Sequence, residues 1–257
     1  MEQKLSIKAI EKVLKETSDL SSELNKFRND TRAGVIKLIK KYDKELQKQK
    51  EEKEAFDLRM YFDTMFKIDS NLVGIDEVGR GPLAGPVVAA AVILPQNVQL
   101  VGIRDSKKLT HEKREELFEE IKSKALAIGI GVVDNNVIDD INILQATFRA
   151  MREALDKIEV PYDKILVDGN KTIPDVNVNQ TAVISGDDKS ASIAAASIIA
   201  KVTRDRMMEE YDKQYPGYDW ASNKGYGSKK HYEGLKQLGL TKLHRKSFIR
   251  DSDLSYD

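Results

Sequence analysis

The run from Val87 to Leu94 contains eight consecutive apolar residues and constrains the fold more than any other segment. Successive side chains of a strand point to opposite faces, so a strand that is apolar throughout indicates a sheet covered on both faces. Similar short apolar runs alternate along the chain with segments of helical periodicity. We predict strands at 72–76, 87–94, 128–133, 164–167 and 182–184, and helices at 110–127, 137–158, 190–211 and 229–238. This order predicts an α/β layered domain with a mixed sheet.

The first seventy residues differ from the rest, because they contain a single glycine and no proline. Ile7, Ile10, Val13 and Leu14 recur at helical spacing, and a second helix is expected after Asp30. Most other residues from 37 to 54 are charged. We therefore predict a helical, charged N-terminal extension without a core of its own at 1–70, followed by the α/β domain with its C-terminal helical part at 71–257.

Composition narrows the class of protein. The chain has no cysteine, which excludes disulfides and thiolate zinc sites. Its N-terminus lacks the apolar segment of a signal peptide, and its longest apolar run is too short to span a bilayer, so a cytoplasmic protein is expected. The net charge is zero, yet residues 189–250 hold 13 Lys or Arg against 6 Asp or Glu. A basic segment of this kind suits phosphate binding, although chance asymmetry would also produce it.

Two adjacent carboxylates, Asp76 and Glu77, close the first predicted strand, and a glycine-arginine-glycine loop follows. Neighbouring strand residues face opposite ways, so both acids can share one site only where the strand stops or bends. Gly79 and Gly81 provide such a break, because glycine adopts positive φ freely. Taken alone, the acidic pair fits a turn between two strands equally well.

Two further acids, Asp168 and Asp187, also follow predicted strands, where α/β folds place their sites. The Asp-Gly pair at 168 is also a common structural turn. Four converging carboxylates would repel one another, and Mg²⁺ or Mn²⁺ would relieve that repulsion with an all-oxygen ligand set. Two such ions about 3.5–4 Å apart would suit phosphodiester hydrolysis.

The string from Gly74 to Pro86, Gly-Ile-Asp-Glu-Val-Gly-Arg-Gly-Pro-Leu-Ala-Gly-Pro, resembles the signature of the type 2 ribonuclease H (ribonuclease HII) family. Segments 105–109, 195–205, 223–227 and 243–248 resemble that family as well, so the resemblance covers about two thirds of the chain. It implies a ribonuclease H-like mixed sheet flanked by helices, with a helical C-terminal appendage from about Pro216.

The resemblance also implies roles for individual residues. The family's metal-binding and catalytic acids correspond to Asp76, Glu77, Asp168 and Asp187. Asp188 is the neighbour of the fourth acid, but the family spacing to Ser190 favours Asp187. The family often has a lysine where this chain has Ser185, which removes a cation beside Asp187. Lys189 is a candidate to replace it.

For substrate binding, the resemblance assigns the ribose and its flanking phosphate to Gly79, Arg80 and Gly81, and the next sugar to Tyr226. Lys107, Lys201 and Lys224 are candidate phosphate contacts, although a lysine in a basic segment is usually solvated. A surface tyrosine in a glycine-rich loop is the alternative interpretation of Tyr226.

The implied activity is metal-dependent cleavage of the RNA strand of RNA/DNA hybrids, and nicking of DNA duplexes on the 5′ side of embedded ribonucleotides. The products would carry 3′-hydroxyl and 5′-phosphate ends, in the service of ribonucleotide removal from DNA. A monomer is expected, with no membrane partner. Ribonuclease HIII is the nearest alternative, but its loop normally lacks Gly-Arg-Gly-Pro and its N-terminal domain contains strands that this sequence does not indicate. A non-catalytic nucleic-acid-binding module is the alternative from another class, and the presence of all four acids disfavours it.

Overall fold

The computed structural model describes residues 5–66 and 70–254, which divide into two compact units, Met1–Asp57 and Leu58–Asp257. The first unit contains α1 (Ile7–Glu16), α2 (Leu20–Phe27) and most of α3 (Ala33–Thr64). Its helices enclose a small apolar core of Ile10, Leu14, Leu24, Val35, Ile39 and Tyr42. The expectation that this segment lacks a core was wrong, because α2 was not predicted and it supplies Leu24.

The second unit is built on a five-stranded sheet in the order β3-β2-β1-β4-β5. β1 lies antiparallel to β2 and parallel to β4, β2 is antiparallel to β3, and β4 is parallel to β5. The sheet is therefore mixed, as predicted. Its strands are β1 (Asn71–Val78), β2 (Val87–Ile93), β3 (Ala127–Val133), β4 (Tyr162–Asp168) and β5 (Asn179–Val183).

All four helices predicted for this unit are present, with ends shifted by a few residues. They are α4 (His111–Lys124), α5 (Asn135–Leu155), α7 (Ala191–Gln214) and α9 (Lys229–Leu238). Two short helices, α6 (Gly186–Lys189) and α8 (Trp220–Asn223), complete the set. Thr110 caps α4 by accepting a hydrogen bond from the N–H of Lys113.

Helix α7 covers one face of the sheet and comes unusually close to β1. A Cβ atom at Gly74 would lie 2.1 Å from the carbonyl carbon of Ser192, so only glycine allows this contact. Asp63 holds the start of the same helix, since its carboxylate accepts hydrogen bonds from the N–H (2.9 Å) and hydroxyl (2.8 Å) of Ser192. Asp63 is 7% exposed. The last turns of α3 are thus part of the sheet-containing unit.

The C-terminal appendage packs around Trp220, which is fully buried. The apolar cluster around it combines residues of the segment after β1 with residues of α7, α8, α9 and the loop before α8. Its buried members are Leu83, Ala84, Met208, Tyr218, Trp220 and Leu235. This packing brings the glycine-rich loop at 225 against the loop at 84, because the N–H of Leu83 donates to the carbonyl of Gly225 over 2.8 Å. Across the described ranges 5–66 and 70–254, no helix has the length and apolar character needed to cross a membrane.

Candidate active site

Asp76 and Glu77 lie within β1, which continues to Val78, so the expectation that the strand ends at Asp76 was wrong. The neighbouring strand explains how both acids still meet. Ile75 pairs with Val167, and β4 ends one residue later at Asp168. The carboxylate of Asp76 accepts a hydrogen bond of 2.7 Å from the N–H of the next residue, Glu77. The shorter partner strand therefore frees space at this end of β1 without a break in the chain.

Asp168 links the end of β4 to the fourth predicted acid. Its Oδ1 accepts a hydrogen bond of 2.7 Å from the N–H of Gly186, the residue before Asp187. A side chain at position 186 would collide with Ile193, whose Cδ1 would lie 2.5 Å from the added Cβ. The preceding residue, Ser185, has φ 53° and turns the chain sharply into α6. These constraints place Asp187 beside Asp168.

The charges of the four acids act on one another. Burial raises the pKa of Asp76 well above its ordinary value, and the charges of Glu77 and Asp168 add to the effect. The pKa of Glu77 is raised chiefly by burial, against the lowering effect of Arg80. Burial, together with the charge of Asp168, raises the pKa of Asp187 to about 6. The structure thus gathers all four predicted acids into one electrostatically coupled group.

Few cations offset this group. Arg80 donates to Glu77 over 3.1 Å. Lys107 lowers the pKa of Asp187, which burial and neighbouring acids raise. Lys108 forms an ion pair with Asp188 rather than with Asp187, and Lys189 donates to the carbonyl of Ile184 over 2.8 Å. Lys189 is therefore not placed to replace the family's lysine.

A cation that the sequence did not reveal is Arg59, on α3. Its pKa is lowered by burial and raised by the charges of Asp188 and Asp187. Nothing in the charged pattern of α3 distinguishes Arg59 from the solvated cations around it, so only the folded structure identifies it.

The donor chemistry of the site fits a hard divalent cation, since four carboxylates converge without a histidine among them. Within residues 5–66 and 70–254, no group of three or more His, Asp or Glu side chains is arranged so that it could hold a metal ion as the side chains stand. The raised pKa values of Asp76, Glu77 and Asp187 come first from burial and then from the neighbouring acids, and a bound cation would offset both effects.

A cavity of about 250 Å³ opens beside the acids, between the end of β4 and helix α5. Glu77, Arg80 and Asp168 form its polar side, and Phe148 and Met151 form part of its apolar side. Its apolar wall was not predicted, because the residues of α5 show only ordinary helical periodicity.

The predicted substrate loop faces Tyr226. A Cβ at Gly81 would lie 3.5 Å from Cε1 of Tyr226, an ordinary van der Waals contact, so the loop and the ring are adjacent. Tyr226 is 44% exposed. Gly79 is different, since its φ is 93° and a Cβ there would lie 2.3 Å from Nε of Arg204. Gly79 is therefore required by the fold, whereas Gly81 leaves an open surface.

Comparison with known proteins decides the family. The sequence profile described as Ribonuclease HII matches residues 73–251, and the one described as Ribonuclease HII N-terminal domain matches residues 6–67. The ribonuclease HII of Enterococcus faecalis is 48% identical over 254 residues, covering 98% of this chain and 99% of the relative. The chain belongs to the ribonuclease HII family.

The ribonuclease HII family cleaves RNA in RNA/DNA hybrids and at ribonucleotides embedded in DNA, and the fold agrees with this membership. The ribonuclease HII of Archaeoglobus fulgidus, solved as a complex with PCNA, is similar to this chain with a TM-score of 0.61 and 28% identity. That match covers 70% of this chain and 96% of the other. Bst-RNase HIII, solved in complex with Mn²⁺, shares the fold at 19% identity and a TM-score of 0.57, covering 75% and 71% of the two chains.

Two buried arginines of this ribonuclease HII chain hold backbone carbonyls, a role that the sequence did not indicate for either. Arg204 and Arg245 are both 0% exposed. Arg204 donates to the carbonyls of Pro86, Lys224 and Ala84 at 2.9, 2.9 and 3.2 Å. Arg245 donates to the carbonyls of the substrate loop. Burial lowers the pKa of Arg204 to about 10 and that of Arg245 to about 9.

A buried histidine pair supports the same region. Nδ1 of His231 lies 2.9 Å from the carbonyl of Tyr226, so it carries the proton and donates. Its Nε2 accepts from the indole N–H of Trp220 over 3.1 Å and lies 3.1 Å from Nε2 of His244. His244 in turn accepts from the N–H of Thr241 through Nδ1. Both imidazoles are therefore neutral, and they fix the backbone that carries Tyr226.

Two of the candidate phosphate-binding lysines have partners within the protein. Lys201 forms an ion pair of 2.7 Å with Asp205, and Lys224 forms one of 2.7 Å with Glu209. Lys107 lies in the 3₁₀ turn after Asp105, which holds the N–H of Lys107 through its carboxylate at 2.9 Å. Of these three lysines, Lys107 is the one beside the acidic group, and its role as a substrate contact stays a prediction.

Proposed function

We propose that Asp76, Glu77, Asp168 and Asp187 hold two divalent cations, Mg²⁺ or Mn²⁺, and that the enzyme nicks duplex DNA on the 5′ side of an embedded ribonucleotide. The observation that carries the proposal is that the charges of four carboxylates act on one another, three at the neighbouring ends of β1 and β4 and the fourth, Asp187, on α6 beside Asp168. When bound, the ions supply activation of water and stabilisation of the departing oxygen. The Mn²⁺ of Bst-RNase HIII, a protein of the same fold, supports this choice of metal.

The proposed reaction also determines which bond of the phosphodiester breaks. Attack of water on the phosphorus breaks its bond to the 3′ oxygen of the preceding nucleotide. That oxygen leaves as a hydroxyl, and the phosphate stays on the ribonucleotide, giving 3′-hydroxyl and 5′-phosphate ends. Arg80 holds Glu77 in the free enzyme and would exchange that contact for a substrate phosphate once the carboxylate is neutralised.

Recognition of the ribose belongs to the Gly79–Gly81 loop in this proposal. A 2′-hydroxyl both donates and accepts hydrogen bonds, so exposed backbone groups can read it where no side chain intervenes. Gly81 presents such a backbone beside the exposed ring of Tyr226. Tyr226 would then pack on the next sugar and favour deoxyribose there, and Lys107 would contact phosphate.

The protein would act as a monomer on RNA/DNA hybrids and on ribonucleotide-containing DNA duplexes. We place it in the cytoplasm, because bacterial chromosomal DNA, the substrate of ribonucleotide removal, is located there. The N-terminal unit, Met1–Asp57, would contribute affinity for the duplex or for a partner through its charged surface. The division at residue 70 stays a prediction from the sequence, and α3 itself continues past the end of the first unit.

A nicking assay tests the proposal directly. A DNA duplex with one ribonucleotide and a continuous RNA/DNA hybrid, both end-labelled, are incubated with the full chain in Mg²⁺, in Mn²⁺ and in chelator. We expect metal-dependent cleavage at the DNA–ribonucleotide junction with a 3′-hydroxyl on the upstream fragment. Cleavage in chelator, or a 3′-phosphate product, would contradict the proposed mechanism.

A further inference from the structure

Arg245 makes three hydrogen bonds to the backbone of the loop that precedes β2. Its Nη2 donates to the carbonyl of Gly79 over 2.6 Å, its Nη1 to the carbonyl of Arg80 over 3.0 Å, and its Nε to the carbonyl of Gly85 over 2.9 Å. The guanidinium lies 5.1 Å from the ring centre of Phe248, which supports it from one side. One buried side chain from the C-terminal appendage therefore fixes both ends of this loop.

These contacts determine where two N–H groups point. A trans peptide unit is planar, with its C=O and N–H directed to opposite sides. The carbonyl of Gly79 shares a peptide with the N–H of Arg80, and the carbonyl of Arg80 shares one with the N–H of Gly81. Because both carbonyls face Arg245, both N–H groups face away from it, and neither has a hydrogen-bond acceptor within the described part of the chain.

We infer that Arg245 is a positioning residue for ribose recognition, since it holds the N–H groups of Arg80 and Gly81 as a preformed pair of donors toward the substrate. This inference rests on the proposed role of the Gly79–Gly81 loop and adds the residue that orders it. The recognised chemistry is the 2′-hydroxyl oxygen of the ribonucleotide, which accepts from the two N–H groups.

The positive charge of Arg245 also favours binding of an oxygen acceptor at the two N–H groups. Neither Arg245 nor Arg204 forms an ion pair with an acid anywhere in residues 5–66 and 70–254. A buried cation without a carboxylate in contact is costly, and carbonyl dipoles and the more distant charge of Asp139 offset only part of that cost. The remaining positive potential lies directly beneath the two exposed N–H groups and favours an anionic or electron-rich oxygen there. Burial and the neighbouring charge of Arg204 both lower the pKa of Arg245, which agrees with this arrangement.

Arg204 provides a matched control. It is equally buried and also donates to three carbonyls, but two of these belong to Ala84 and Pro86 and the third to Lys224. None of those peptides supplies the N–H of Arg80 or Gly81. Arg204 packs on Gly79 and holds the segment before Tyr226, so its removal also costs stability, but only Arg245 binds the carbonyls of the two peptides that carry the proposed donor pair.

The test measures dissociation constants of the full chain for two DNA duplexes of the same sequence, one all-DNA and one with a single ribonucleotide, by fluorescence anisotropy in chelator. The proteins are the wild type, Arg245→Lys and Arg204→Lys, each with its melting temperature. Lysine retains the charge but lacks the planar fork that reaches three carbonyls. We expect Arg245→Lys to lose about tenfold of the wild-type preference for the ribonucleotide duplex, the value of one to two hydrogen bonds. Arg204→Lys should keep that preference within about twofold at a similar loss of melting temperature.

An unchanged preference in Arg245→Lys, or an equal loss in Arg204→Lys, would overturn the inference. If Arg245→Lys does not fold, Phe248→Leu carries the same test. It leaves the guanidinium in place but removes the ring beside it, and we expect a loss of about threefold of the preference. A preference in Phe248→Leu equal to that of the wild type would then overturn the inference. A wild type without any preference would overturn the proposed loop contact as well, and that result is visible before any variant is compared.

Discussion

Two regions of opposite charge lie within a few residues of each other in this protein. The acidic region, Asp76, Glu77, Asp168 and Asp187, gathers carboxylates whose mutual repulsion is offset by few cations. The basic region begins only two residues after Glu77, where two buried arginines hold the loop from Gly79 to Pro86 by its carbonyls. Each region buries charge that its own residues do not neutralise.

The two regions differ in how their charge is held. The acids approach one another as side chains at the ends of strands, so their positions depend on sheet register. The arginines bind backbone carbonyls, so their positions depend on loop conformation. Buried charge of one sign is a cost in the free protein. The adjacent negative and positive regions suit the proposed function, in which metal ions bind in the acidic region and a phosphate of the substrate binds beside the basic region.

The largest effect is expected in the acidic region. Asp168→Asn and Asp76→Asn should each abolish turnover, because the loss of one carboxylate raises the barrier by on the order of several kcal/mol. Duplex binding should persist, since a charge that repels phosphate has been removed. Metal-dependent nicking and duplex affinity are measured together. Asp188→Asn is the matched control, as Asp188 is paired with Lys108, and it should retain most activity. Near-normal nicking by Asp168→Asn would assign that acid a structural role.

The next effect separates two glycines of the basic region. Gly79→Ala should unfold or strongly destabilise the protein, because the methyl group would lie 2.3 Å from Arg204 in a positive-φ backbone. Gly81→Ala should fold normally, since its methyl group meets only Tyr226 at 3.5 Å. Cleavage at a ribonucleotide should nevertheless fall much more than affinity for all-DNA duplex. Equal losses of cleavage and affinity in Gly81→Ala would indicate a general binding role.

Tyr226 is expected to set the preference between substrates. Pressing an unpaired 2′-hydroxyl against its ring costs roughly 1–3 kcal/mol, a bias of about fivefold to a hundredfold against ribose at the following sugar. Tyr226→Ala should narrow the advantage of a single embedded ribonucleotide over continuous RNA, whereas Tyr226→Phe should keep most of it. The measurement is the ratio of kcat/KM values on the two substrates. An unchanged ratio in Tyr226→Ala would show that Tyr226 has no role in substrate preference and is an ordinary surface tyrosine.

Asp63, the α3 residue that binds the start of α7, allows a test of how the stability of the protein depends on pH in the absence of metal. Burial raises its pKa to about 6, above the 3.8 of an ordinary aspartate. The folded protein therefore binds a proton more readily than the unfolded chain, so this group's contribution to stability is present below pH 3.8 and is lost as pH rises through 6. The wild type should lose up to about 3 kcal/mol relative to Asp63→Asn over that range. Asp57→Asn, an exposed change on the same helix, should follow the wild-type profile. If stability changes with pH in the same way in wild type and Asp63→Asn, the pKa of Asp63 is not raised by burial.

His244, beside the basic region, should show the opposite slope. Burial lowers its pKa to about 4, with a further contribution from His231, against 6.5 for an ordinary histidine. The unfolded chain then binds the proton more readily, so the stability is present above pH 6.5 and is lost as pH falls toward 4. Solvent screening reduces the expected loss to about 2 kcal/mol. Denaturant titrations of wild type and His244→Asn between pH 4 and 7 check it, with His111→Asn as the exposed control. Stability of the wild type that does not fall relative to His244→Asn would show that the pair is already protonated.

The sequence located the acidic region well, for a physical reason. Strands of a layered α/β domain are marked by apolar runs, and the acids that follow them are brought to one edge by the parallel pairing of β1 and β4. The strand bounds were confirmed to within a few residues. Sequence pattern did not show that β1 continues past Asp76, because the end of a strand is set by its partner, and β4 stops at Asp168.

The basic region was less visible in the sequence. Arg204 and Arg245 lie in a segment rich in Lys and Arg, where any single cation looks solvated. Their burial depends on packing of the C-terminal appendage against a loop more than a hundred residues earlier in the chain. The same is true of α2, whose Leu24 completes a core that the charged composition of the N-terminal segment conceals.

Local sequence thus determined the elements of this protein, the glycine positions and the family, because apolar periodicity and short motifs are written in neighbouring residues. Tertiary structure alone decided which charges are buried and what they hold. A buried guanidinium is distinguished from a surface one by the carbonyls around it, and those carbonyls come from distant parts of the chain. The four acids could be predicted as a group because the sheet brings strand ends together, whereas Arg245 could be recognised only where the loop of Gly79 meets it.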